Sequence, residues 1–160
     1  MATPRDIRRL ALLALYQLDA RGDGDLGAIR AALEDAPGLE DGDPSFDEPN
    51  AAFKNRDYEK AIEFAQAAFA MRDDADAMLL ELAPEWPAHR QAAIDRAILR
   101  LGFYELLSGH APPRAAINEA VELARAFSTD KSPSFVNGLL SAIHKRVAAS
   151  EVKKTEQEES

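Results

Sequence analysis

Residues 95–106, Asp95-Arg-Ala-Ile-Leu-Arg-Leu-Gly-Phe-Tyr-Glu-Leu106, decide the fold. Apolar side chains return here every three or four positions and no alternating strand pattern persists, which is the helical period. Together with Ile94, residues Ala97, Ile98, Leu101 and Tyr104 make one stripe. Leu99, Gly102 and Leu106 lie on a second face, with Asp95 at its start. A helix apolar on two faces is either central in a bundle or also meets a partner, and the central place is the default. Pro87 suits the first position of this helix and Gly109 its stop, so the pattern predicts a long helix over about 87–107.

Helical spacing continues on both sides. Downstream, Pro113 to Phe127 is predicted as a helix with Ile117, Ala120, Val121, Ala124 and Phe127 inward. Ser132-Pro133 opens a last helix to about Val147, and the polar stretch 150–160 is expected to be disordered. Upstream, Thr3 is a cap, Pro4 a first helical residue and Asp6 the return half of a capping box. The stripe Ile7, Leu10, Ala11, Ala14, Leu15, Leu18 follows, ended by Gly22 and Gly24. Shorter helices are predicted over about 25–34, 50–71 and 74–83. The stretch 50–71 looks like a tetratricopeptide hairpin, but no second copy appears and a lone unit cannot bury its own face. Residues 35–49 hold three prolines and two glycines among acidic side chains, which reads as an acidic loop insertion. The expected architecture is all-α, a single domain of about seven helices over residues 1–149.

The chain has 160 residues and 46% hydrophobic content, enough for a buried core. Without cysteine it can build no disulfide, Cys-based zinc site or Cys nucleophile. No apolar stretch is long enough for a membrane helix or a separate signal peptide, which makes a cytoplasmic protein the expectation. The net charge of -9 opposes indiscriminate binding of a polyanion. That charge is unevenly placed. Residues 21–50 carry -7 and 51–86 carry -4, whereas 1–20 carry +1 and 87–150 carry +3. A local anionic ligand beside an acidic shield fits this asymmetry, and so does a merely solvated acidic loop. His89, His110 and His144 have no partner at metal-ligand spacing, and no phosphate loop or nucleophile elbow is present. The residues therefore describe a binding module with no catalytic centre, metal or cofactor.

Four motifs go further. Trp86, then 95–106, then Ala116-Ile-Asn-Glu-Ala-Val-Glu-Leu-Ala-Arg125, then Phe135-Val-Asn-Gly-Leu-Leu140 stand in order, preceded by Arg8-Arg9 and Ala14-Leu15-Tyr16-Gln17. In this the chain resembles the NusB family of bacterial transcription antitermination factors, over about residues 5–18 and 86–146. The resemblance implies two packed helical lobes and no catalysis. It implies binding of the boxA element of ribosomal RNA leader transcripts together with NusE, a ribosomal protein that doubles as a transcription factor. The pair then supports ribosomal RNA synthesis by the RNA polymerase elongation complex. The positions matching the family's RNA contacts are Arg5, Arg8 and Arg9, then Lys131, Ser132 and Phe135, with Arg114 beside them. Arg5, Arg8 and Arg9 share one helical face, although Asp6 interrupts the basic cluster. Phe135 suits either base stacking or the core. The positions matching the NusE-binding face are Tyr16 and Asp95, continued by Leu99 and Gly102. Two other readings stand beside this one. One is a detached RNA-binding subunit of a ribosomal RNA methyltransferase. The other is a protein-interaction module, monomeric or homodimeric, built on residues 50–83.

Overall fold

The computed structural model describes residues 2–35, 53–109 and 111–159. Most of the acidic loop and His110 lie outside the described residues. Among the described residues the structure is all-α. The helices are α1 (Pro4–Arg21), α2 (Leu26–Glu34), α3 (Asn55–Ala70), α4 (Arg72–Leu82), α5 (Ala93–Ser108), α6 (Pro113–Phe127) and α7 (Ser132–Glu159), with a 3-10 turn over Ala88–Arg90 before α5. They fall into two compact units, Met1–Arg72 and Asp73–Ser160.

In the first unit α1 packs mainly on α3, and α2 joins both. The start of α1 is built as its residues require. Thr3 accepts from the Asp6 backbone N–H at 3.1 Å, and the Asp6 carboxylate accepts from the Thr3 N–H at 3.0 Å. Two otherwise unpaired helix-end donors are satisfied in this way. Leu10, Leu15 and Leu18 of α1, Ile29 and Leu33 of α2, and Ala61, Ala65 and Ala68 of α3 are buried. The alanines stand four and three residues apart, so one face of α3 is smooth enough for close approach. Tyr58 on α3 carries Arg30 of α2 over its ring at 5.3 Å and meets Phe53 edge-on at 6.3 Å. Burial, and then the nearby Glu34 carboxylate, push the Tyr58 phenol above its ordinary pKa. It is a neutral packing group at physiological pH.

The second unit is built around α5, which packs on α6 and α7 while these two pack on each other. Ala97, Ile98, Leu99, Leu101 and Phe103 of α5, Ala116, Ala120 and Ala124 of α6, and Val136, Leu140 and Ile143 of α7 are buried. The central place expected for α5 is the one it occupies. Arg100, also buried, holds Asp76 of α4 through two hydrogen bonds of 3.0 and 2.7 Å, so this cation of α5 serves to tie down α4.

Several expectations need correction. The helix expected from Pro87 is broken at Gln91–Ala92, and Pro87 caps a short 3-10 turn instead. The Arg96 guanidinium holds the break by donating to the carbonyls of Ala88 (2.8 Å) and Gln91 (3.3 Å). The stretch that looks like a tetratricopeptide hairpin forms one helix, Asn55–Ala70, over its described part rather than two helices joined by a turn. The tail expected to be disordered continues α7 as helix to Glu159. Lys, Glu and Gln are good helix formers, and the preceding turns supply the nucleus, so propagation adds little cost.

Leu99 and Gly102, expected on the partner-binding face, are in the core. Leu99 has no exposed surface. A Cβ added to Gly102 would lie 2.6 Å from Leu140 Cδ1 and 3.0 Å from its Cδ2. The glycine lets α7 approach α5, and the Leu140 side chain that it meets is fully buried in close packing. Gly102→Ala should gain about 1 kcal/mol of helix propensity and lose roughly 1–3 kcal/mol to overpacking, for a net loss near ~1 kcal/mol. In chemical denaturation, Gly102→Ala with Leu140→Ala should destabilise less than the sum of the two single changes. Strict additivity would show that the two residues do not collide.

Candidate functional site

Each unit carries its own candidate surface. On the first, Arg5, Arg8 and Arg9 occupy the first turns of α1. The shared face expected from their spacing is only partly open. Arg5 is exposed and Arg8 half-buried, but Arg9 is 8% exposed. Arg9 therefore belongs largely to the packing of the helix, and its role as an outward phosphate donor is corrected accordingly. Asp6 does not break up the basic surface as expected. It is wholly buried, with its carboxylate turned onto the Thr3 backbone. Further along the same helix Tyr16 stands out at 41% exposure, so it is no core aromatic.

The second unit holds a polar network at the meeting point of three helix ends. Asp95 lies in the first turn of α5, where a carboxylate suits the helix dipole. Ser128 caps the end of α6 and Ser132 opens α7. The Ser128 hydroxyl donates to Asp95 Oδ1 at 2.6 Å, and the Ser132 hydroxyl donates to Oδ2 at 3.1 Å. Each hydroxyl has one proton. The 2.9 Å approach of Ser128 Oγ to Ser132 Oγ therefore cannot be a hydrogen bond at the same time. Thr129 Oγ1, 2.9 Å from Ser132 Oγ, is left as the donor to Ser132. Ser132, expected to touch RNA, is buried, and its hydroxyl is used internally.

Beside this network opens a cleft of about 280 Å³. Asp95, Lys131, Ser132 and Phe135 line it, together with Trp86 and Arg90 from the segment before α5. The resemblance assigns Asp95 to one ligand and Lys131, Ser132 and Phe135 to another. The fold brings all four to one place. Lys131 is exposed and Phe135 half-buried, so its ring contributes both to packing and to the wall. Arg114 stands exposed at the start of α6, outside the residues lining this cleft.

Ser128, Thr129, Arg90 and the exposed indole of Trp86 were missed as site residues. A signal existed for the last. A tryptophan in a polar, proline-bounded segment with no stripe to join is a poor core residue. No sequence pattern announces Ser128, since its partner is 33 residues away.

Among the described residues no group of His, Asp or Glu could hold a metal ion, and no helix is long and apolar enough to cross a membrane.

Comparison with known proteins places this geometry. Residues 5–145 match the model of the NusB family. A transcription antitermination protein NusB from Saccharopolyspora erythraea is 37% identical over 145 residues, covering 89% of this chain and 87% of that protein. The solved structure of T. maritima NusB superposes with a TM-score of 0.66 at 31% identity, over 91% of this chain and 93% of that one. A chain from a crystal structure of NusB and NusE in complex with double-stranded RNA shares the fold, with a TM-score of 0.68 at 24% identity, over 89% and 96% of the two chains.

The Asp95 network makes its own prediction. Asp95→Ala leaves two hydroxyls without their acceptor, and Ser132→Ala leaves half the carboxylate without a donor. Each should cost about 1–3 kcal/mol in chemical denaturation. Their double-mutant cycle should show coupling of roughly 0.5–3 kcal/mol. Coupling near zero would mean that the network does not hold the helix ends together.

Proposed function

Because this chain belongs to the NusB family, we propose that it is a transcription antitermination factor. It binds boxA RNA of ribosomal RNA leader transcripts together with NusE and supports ribosomal RNA transcription by RNA polymerase. The single observation that carries this reading is the match to the family over residues 5–145. The side chains are consistent with it. Arg5 and Arg8 present fork-shaped donors suited to phosphates. Lys131 and Phe135 offer a cation and an aromatic edge at an open cleft. Single-stranded RNA is bound by such a combination of charge and stacking. Arg114 is a further cation for the RNA backbone.

For NusE, Tyr16 and Asp95 remain the candidates. Tyr16 offers an exposed aromatic of the kind that anchors interfaces. Asp95 accepts one hydroxyl on each oxygen and keeps lone pairs for a basic partner. Leu99 and Gly102 take no part. Work in the transcription complex puts the protein in the cytoplasm, and its role is binding without catalysis.

The test is the salt dependence of binding to boxA RNA with NusE present. Replacing Arg5 and Arg8 together by Ala should weaken binding. It should also lower the slope of log K against log salt by roughly 1.4, about 0.7 for each single-strand phosphate no longer neutralised. Arg9 is spared because it is packed. An unchanged slope would remove these arginines from the RNA surface, and absence of any boxA binding by the intact chain would overturn the function.

A further inference from the structure

The cleft of the second unit has one wall that the resemblance to NusB does not assign. This wall is the segment before α5, with Trp86, Arg90 and Gln91. It is a held structure. Arg96 clamps the turn through the carbonyls of Ala88 and Gln91, and the Gln91 side-chain amide donates to the Trp86 carbonyl at 3.1 Å. The clamp leaves the Trp86 side chain 52% exposed, a large apolar ring kept in water by a fixed backbone. Arg90 is exposed beside it. Gln91, also on this lining, is 8% exposed, and its buried Oε1 has no hydrogen-bond partner among the described residues. A buried acceptor without a donor is costly and usually marks a place where a ligand or water completes the structure.

The opposite wall carries Lys131 and Phe135. The lining therefore holds two aromatic side chains, two exposed cations and one buried acceptor. Asp95, the carboxylate proposed above for NusE, also lies on this lining and accepts one serine hydroxyl on each oxygen. Aromatic faces with flanking cations suit a flat, unstacked base joined to phosphates. The geometry points to this cleft as the seat of one unpaired RNA nucleotide, with Trp86 as a stacking residue and Arg90 as a phosphate donor. The inference rests on the RNA-binding reading above and extends its RNA surface to the turn before α5.

Trp86 is the only tryptophan of the chain, so its fluorescence reports on this cleft alone. The experiment titrates the intact protein, with NusE present, with boxA RNA. It follows tryptophan emission (corrected for any tryptophan of NusE by a NusE-only titration) and, separately, the anisotropy of labelled RNA. Stacking should quench Trp86 in step with binding. Trp86→Ala should weaken binding by roughly tenfold or more, and Trp86→Phe should restore most of it. Arg90→Ala should lower the salt slope by about 0.7. Trp86 is half in solvent, and helical circular dichroism checks that each variant folds. If RNA binds but Trp86 is not quenched and both variants bind normally, this inference is overturned and the RNA-binding function stands. Quenching by NusE alone, with none added by RNA, also overturns it. If no RNA binds at all, both fail.

Discussion

The second unit depends on one carboxylate. Asp95 receives the hydroxyls of Ser128 and Ser132, and so fastens the start of α5 to the end of α6 and the start of α7. Without it the hydroxyls of Ser128 and Ser132 would lose their shared acceptor, in a place where Ser132 is already shut off from water. The same bond fixes where α7 begins. It therefore fixes where Lys131 and Phe135 stand relative to Trp86 and Arg90 of the turn before α5. A second constraint acts about two helical turns further along α5, where Gly102 admits Leu140 and sets the distance between α5 and α7. Polar anchoring at one end and steric fit in the middle thus both join α5 to α7, and the cleft opens at the anchored end.

Much of the fold is legible in the sequence because helical periodicity is a local signal. The boundaries of α1, α2 and α6 follow from Thr3, Asp6, Gly22, Asp25 and Pro113, each acting within a turn of its own position. Sequence misleads where a distant or competing interaction decides. Pro87 looks like a helix start, but Arg96, nine residues on, pulls the intervening carbonyls into a separate turn. Leu99 and Gly102 suggest a partner face because a helix buried on every side reads, in sequence, like one that serves two surfaces. Only the approach of Leu140 distinguishes the cases. Asp6 reads as a flaw in a basic cluster, yet its charge is turned back onto the helix that it caps. Sharing one helical face does not make Arg5, Arg8 and Arg9 equally available, since a face contains its own buried edge.

The net charge of -9 acquires a definite meaning in this light. The segments that carry the arginines of α1 and the cleft of the second unit are net positive, and the acid is concentrated between them in sequence. Long-range repulsion of the whole chain disfavours RNA in general. Short-range donors and aromatic faces favour RNA that fits. Long-range repulsion weakens every RNA alike, so discrimination between RNAs falls to the short-range contacts.

The most direct measurement is the affinity for boxA RNA and for a scrambled RNA of the same composition, each with and without NusE at fixed salt. NusE should tighten binding of boxA RNA well beyond that of the scrambled RNA, and the protein alone should hold both weakly. Equal affinity for the two RNAs in the presence of NusE would contradict a selective, partner-assisted RNA-binding factor.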